Sequence, residues 1–221
     1  MKEKLKKGLK WFYESNIWIG LLLLIGDIIS KNLIVKYKDN IFAGGGRNGG
    51  IDIIPGFLGI NYLINENVAF GVSLGSPLAN KIVFSIFAII ISAAIIVYLV
   101  FKWKKTRRLY KAIAFMVIAG AIGNCIDRLF YSASYLDMGG KQGVVDWIDF
   151  YGIWSFNFNV ADCAVVIAAI MLLVVIIVDA IKESIANAKK MEKETGPVEK
   201  VKSRTEIETQ ELREKDSNKN E

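Results

Sequence analysis

Histidine is absent from all 221 residues. That absence excludes Ser-His and Cys-His nucleophilic catalysis, the histidine-containing zinc sites, and intramembrane serine proteolysis that uses a histidine base. Cysteine is scarce. Cys125 and Cys163 sit in apolar helical runs beside polar motifs. With no base to activate a thiol they read as buried small hydrophobes, and a disulfide between them is allowed but not implied. Charge is missing where it matters most: 82–101 is twenty residues without one charged side chain. At about 1.5 Å per residue this crosses roughly 30 Å of hydrocarbon. An ordinary soluble domain is excluded by the totals, 53% hydrophobic residues and a mean hydropathy of +0.36.

What is present fits a bundle of a few membrane helices. Three further runs join 82–101 as spans: about 11–35, interrupted by Asp27 and Lys31; about 109–131, carrying Asn124, Asp127 and Arg128; and about 159–181. Aromatic residues make up 11% of the chain, as expected where aromatic belts line the interfaces. The expectation is an all-α integral membrane protein, a four-transmembrane-helix bundle over residues 1–181. Residues 182–221 follow as a charged, disordered cytoplasmic tail, its first part able to continue the last helix. The N-terminus, five lysines and then an apolar run, resembles a signal peptide. The run is too long and no small-residue cleavage site comes after it, so a retained span is the better reading.

Residues 1–10 hold five lysines against one acid, and 102–111 hold six bases and no acid. The loop 36–78 is balanced, and 132–158 is acidic, with Lys141 against Asp137, Asp146 and Asp149. The positive-inside rule then puts both termini and the middle connection in the cytoplasm and both longer loops outside, in a multi-pass membrane protein. The net charge of +6 is accordingly a topology signal rather than a nucleic-acid patch, which would need a soluble domain to carry it. Gly44, Gly46 and Gly49 satisfy G-x-G-x-x-G, but no strand precedes and no helix succeeds them, so the cluster reads as a flexible external turn. Ile51–Ile53 and Asn61–Asn65, rich in β-formers and split by Pro55-Gly56 and Gly59, read as short strands outside the membrane.

The awkward polar residues converge on one membrane face. Asn124, Asp127 and Arg128 stand at i, i+3 and i+4; Asp27 and Lys31 at i, i+4; Asn159 and Asp162 at i, i+3. With the orientation above, all lie toward the outer side, with Asn65 and Asp146 in the outer loops. Interhelical hydrogen bonds and ion pairs explain part of this set. Asp27 with Lys31 is explained by a salt bridge within the helix, and Asp127 with Arg128 by a local or cross-helix pair. Asp146 and Asp162 are left without a cation. Ionisable groups at the edge of hydrocarbon are costly and mark function, and two carboxyls in a low-dielectric site share a proton. Such a dyad suits peptide hydrolysis by water, with no metal and no cofactor. A transporter using its intramembrane carboxylates is the alternative; it would need repeats or broken helices, and no repeat is found. A non-catalytic scaffold would leave the clustering unexplained.

Five ordered blocks carry a resemblance. Asp27 with Lys31, Asn65-Glu66-Asn67-Val68-Ala69-Phe70-Gly71, Gly123-Asn124-Cys125-Ile126-Asp127-Arg128-Leu129, Gly143-Val144-Val145-Asp146-Trp147-Ile148 and Phe158-Asn159-Val160-Ala161-Asp162 resemble the signature blocks of bacterial lipoprotein signal peptidase (signal peptidase II). The likeness covers about 15–180. It implies an aspartic endopeptidase that cuts prolipoproteins on the N-terminal side of the diacylglyceryl-modified lipobox cysteine. Asp146 and Asp162 would be the catalytic pair. Asn65, Asn124, Arg128 and Asn159 would line the site and bind substrate backbone, with Asp127 in support. Membrane lipids would surround the enzyme, and globomycin-type inhibitors would block it. The resemblance also implies a small extracytoplasmic β-cradle and a mobile loop over the site. The chain departs from the pattern at Ile28, where glutamine is common, at Asn67, where glycine is usual, and in longer stretches at the glycine cluster and between Arg128 and Val144.

Overall fold

The computed structural model describes residues 2–44, 49–66, 74–131, 143–151 and 153–217. Gly46 of the glycine cluster, the block Asn67 to Gly71 and the stretch 132–142, where a covering loop is expected, lie outside the described residues. The chain forms two units, Met1–Leu172 and Leu173–Glu221. The first holds every candidate site residue.

Its helices are α1 (Lys2–Ser15), α2 (Ile17–Lys36), the short α3 (Lys38–Phe42), α4 (Pro77–Lys102) and α5 (Arg108–Ile126), which runs into a π turn at Asp127–Tyr131. The last helix, α6 (Val160–Ser217), begins in the first unit and continues through the charged segment. That segment is rich in Glu and Lys, both good helix formers. Among the described residues, four helices are long and apolar enough to cross a membrane: Ile17–Lys36, Pro77–Lys102, Arg108–Phe130 and Val160–Met191. Most of their surface faces outward, with Phe87 61% and Val100 70% exposed. Apolar area on that scale is stable only against lipid.

Two boundaries differ from the sequence reading for local reasons. The first span starts at Ile17 rather than near residue 11, because Asn16 takes a left-handed conformation (φ 62°) and ends α1 there. The second starts at Pro77 rather than near 82. Ser76 caps it, its side chain accepting the Ala79 N–H at 3.1 Å, and Pro77 occupies the first turn, where its missing N–H costs nothing.

The helices approach closely at glycine. A Cβ at Gly120 of α5 would stand 2.5 Å from Ala161 O and clash with the Val165 side chain; one at Gly20 of α2 would stand 2.9 Å from Phe115 O. Small residues at helix contacts are how membrane helices gain packing without a hydrophobic drive.

A four-stranded antiparallel sheet, ordered β1-β2-β3-β4, is built from Ile51–Ile54, Leu58–Asn65, Val144–Asp149 and Asn157–Phe158. The first two are the strands expected from their β-formers. The third falls in a segment whose sequence reads as loop. Successive strand residues face opposite sides. Val145 packs with Ile34 and Ile41 in the core, joined by Ile60, Tyr62, Ile64 and Trp147. Asp146, one residue on from Val145, is therefore turned to the other face of the sheet.

Candidate active site

Asp162 is placed by the start of α6. Asn159 precedes the helix, and its Oδ1 accepts the Asp162 N–H at 2.8 Å; Asp162 Oδ2 accepts the Asn159 N–H at 3.2 Å. This reciprocal arrangement is a capping box, which explains the i, i+3 spacing of Asn159 and Asp162. Asp146 is placed by the β2–β3 register, opposite Leu63 and diagonal to Asn65. Asn65 Nδ2 donates to Asp146 Oδ2 at 2.9 Å.

One amide joins the two carboxyls. Asn159 Nδ2 donates to Asp146 Oδ1 at 2.7 Å while the backbone and Oδ1 of the same residue hold Asp162. Asn124 Nδ2 donates to Asp162 Oδ1 at 2.7 Å, and Asn124 Oδ1 accepts from Asn159 at 3.1 Å. Asp146 and Asn159 are buried, at 1% and 0% exposed. Both aspartates line a cavity of about 350 Å³ with Asn65, Asn124 and Arg128, walled on its apolar side by Phe84, Phe87 and Val165 among others. Burial, and then the neighbouring charge of Asp162, push the Asp146 carboxyl up to about 7.

Behind this pair stands a hub at Lys31, itself 1% exposed. Its ammonium lies 2.7 Å from Asp27 Oδ2 and 3.1 Å from Asp127 Oδ2, and donates to Asn124 Oδ1 at 3.0 Å. The ammonium thus meets three partners, two carboxylates as ion pairs and one amide oxygen as a hydrogen-bond acceptor. Each partner leads to the dyad. Asp27 Oδ1 accepts the N–H of Ala161, next to Asp162, at 2.9 Å. Asp127 Oδ2 accepts the N–H of Val145, next to Asp146, at 3.0 Å. Asn124 holds Asp162 directly.

The expected salt bridge of Asp27 with Lys31 is present. Asp127, which the sequence pairs with Arg128, is ion-paired across helices with Lys31. Arg128 lies in the π turn, lines the cavity and donates to Asn124 O at 3.4 Å. The sequence reading misses Asn80. It is 2% exposed in the first turn of α4; its Oδ1 accepts the Leu74 N–H at 2.8 Å and its Nδ2 donates to Glu66 O at 3.0 Å. Asn80 thus ties the chain beside Asn65 to the start of the second span. The signal that could have found it is a lone amide in the first turn of an otherwise apolar helix.

The geometry supplies two neighbouring carboxyls held by amides in a small, mostly apolar cavity. Such a set can hold one proton and activate a water. Comparisons with known proteins agree in kind. Residues 19–178 match the family model described as signal peptidase (SPase) II. A lipoprotein signal peptidase of Fusobacterium nucleatum subsp. nucleatum is 36% identical over 159 residues, 72% of this chain and 83% of that one. One from Desulfitobacterium hafniense is 33% identical over 167 residues, 76% of this chain and 96% of its own. A solved structure described as a bacterial membrane enzyme, determined by the in meso method at 2.3 Å, superposes with a TM-score of 0.57 at 27% identity, over 75% of this chain and 88% of that one.

Proposed function

The chain belongs to the signal peptidase II family of aspartic-type peptidases, and from that premise we propose that Asp146 and Asp162 are the pair with which it cuts lipoprotein precursors. The observation that carries this is the Asn159 bridge, which holds both carboxyls at once. Asn65 and Asn124 complete the set of donors that fix the carboxyl planes. One carboxylate takes a proton from water, which attacks the scissile carbonyl while the protonated partner donates to the carbonyl oxygen; as the tetrahedral intermediate collapses, the first carboxyl passes its proton to the leaving amine and the partner takes one back from the gem-diol. The proton belongs to the pair rather than to either residue. Arg128, at the cavity wall, is suited to a substrate backbone carbonyl or a lipid headgroup oxygen.

The cavity opens between apolar side chains of α4, α5 and α6, which suits a substrate presented from the bilayer with its diacylglyceryl group still in lipid. The charge distribution supports cytoplasmic termini and a site toward the outer face. Residues 1–181 would then form the peptidase and the remainder a cytoplasmic extension.

The purified chain, given a prolipoprotein already carrying diacylglyceryl, should release the signal peptide immediately before the modified cysteine, as read by mass spectrometry. Globomycin should block it. The same precursor without the lipid should be cut slowly or not at all. Equal cleavage of both precursors would remove lipid recognition from the proposal, and cleavage of neither would remove the proposal.

Acidity supplies a second check. With Asp146 raised to about 7, the pair keeps its proton at neutral pH and loses it above. The cleavage rate is expected to be level below about pH 7 and to fall up to tenfold per unit above it. A rate that rises steadily through that range would contradict a shared-proton dyad. Linkage runs the same way. The unfolded chain releases this proton near its ordinary value of 3.8, so the stability contributed by the site falls as pH rises from about 4 to about 7.

A further inference from the structure

We propose that α1 is a membrane-surface anchor, an amphipathic helix lying in the headgroup layer and selecting anionic phospholipid. At helical spacing Leu5, Leu9 and Phe12 fall on one face beside Tyr13 and Lys7 and Lys10 on the opposite one, while Lys2 and Lys6, seven residues before Leu9 and Tyr13, border the apolar face. Leu5 is 64% and Leu9 59% exposed. Trp11, off the stripe, is turned to the protein and stacks on Trp103 with ring centroids 5.8 Å apart. Leu5 and Leu9 are left largely open and Phe12 partly so, and an apolar edge of that length is unfavourable in water.

The chain beyond α1 fixes where the helix lies. Ile17 begins a candidate span, so α1 ends where the bilayer begins. The junction is built rather than slack. Asn16, in its left-handed conformation, donates from Nδ2 to Arg108 O at 2.8 Å. The Arg108 guanidinium donates to Tyr13 O at 3.1 Å and lies 4.7 Å from the centre of the Tyr13 ring. Ser15 Oγ donates to Phe12 O at 2.7 Å, and Trp18 Nε1 to Tyr13 O at 3.2 Å. These donors satisfy carbonyls that end α1, so the helix stops there and α2 starts afresh.

Charge selects the kind of lipid. The Arg108 latch holds α1, with its five lysines, against the connection between α4 and α5, which carries Lys102, Lys104, Lys105, Arg107 and Lys111 as well. Glu3 and Glu14 are the only acids in the sequence of either segment, and Glu14 lies 3.8 Å from Lys10. Such a polybasic edge on an apolar stripe fits anionic headgroups above acyl chains. Helix α1 lies outside residues 19–178 and its anchoring does not depend on the peptidase reading.

Hydrogen–deuterium exchange of the full chain in phosphatidylcholine nanodiscs, with and without phosphatidylglycerol, tests this. Amides of α1 are expected to exchange about tenfold more slowly with phosphatidylglycerol present. High salt should remove most of that difference. So should replacement of Lys4, Lys6, Lys7 and Lys10 by glutamine, with cleavage unchanged. A second variant, Leu5→Gln with Leu9→Gln, should lose the protection while keeping the charge. Equal exchange in both lipids would overturn the proposal. Protection that grows with protein concentration would overturn it too, by assigning the stripe to a second copy of the chain.

Discussion

Replacing either Asp146 or Asp162 by asparagine is expected to slow precursor cleavage by roughly 10³-fold or more, with the protein still accumulating in the membrane. Asparagine keeps the size and one acceptor oxygen. In the Asp146→Asn variant the new amide can still be held in part by Asn65 and Asn159, and in Asp162→Asn by Asn124. What each substitution removes is the exchangeable proton. Two carboxyls that share one catalytic proton, as proposed, would make the double variant no slower than the worse single variant, rather than showing the product of two losses. Stability should move differently from activity. Asp146 is buried beside a like charge, and a neutral amide relieves both burdens, so the thermal midpoint of Asp146→Asn in detergent should match or exceed that of the parent. Near-full activity in either variant would sink the assignment. A protein that vanishes from the membrane in both would point to a structural role instead.

The spans and polar clusters are legible in the sequence because each obeys a short-range rule. Twenty uncharged residues make a span, and i, i+3 and i+4 put Asn124, Asp127 and Arg128 on neighbouring parts of one helix. Asp27 with Lys31 is legible for the same reason. The exchange of partners at Asp127 is not. Its ion pair is with Lys31, ninety-six residues away, and nothing in local spacing distinguishes that from a pair with its neighbour Arg128. The strand Val144–Asp149 carries a usable signal, β-branched and aromatic residues in succession, but Asp146 and Asp149 break the pattern and make the segment read as loop. The strand matters because alternation across it turns Asp146 to the site while Val145 stays in the core. Asn80 shows the same limit: its partners Leu74 and Glu66 lie six and fourteen residues away, and sequence spacing does not single them out.

Lys31→Met is expected to be the most damaging change away from the dyad, because one side chain neutralises two buried carboxylates and holds one amide. Asp27 and Asp127 are 0% and 1% exposed. Removing the partner of a buried pair costs about 3–5 kcal/mol, since the remaining charge is left uncompensated. Here two charges are orphaned. The loss should reach the chemistry by a traceable route. Asp27 holds the Ala161 amide and Asp127 the Val145 amide, so the segments carrying Asp162 and Asp146 both lose an anchor. The loss should show in kcat as well as in KM, since displaced carboxyls lose the alignment needed for proton transfer. A triple variant separates charge from anchoring. In Asp27→Asn, Lys31→Met, Asp127→Asn no charge is orphaned, and each asparagine can still accept its backbone N–H through Oδ1. Its thermal midpoint should recover much of what Lys31→Met loses, a non-additivity that contacts within one network produce. Activity should recover less, because Asn124 Oδ1 still lacks the Lys31 donor. If the triple variant is less stable than Lys31→Met, the three residues act as independent contacts and the hub does not exist.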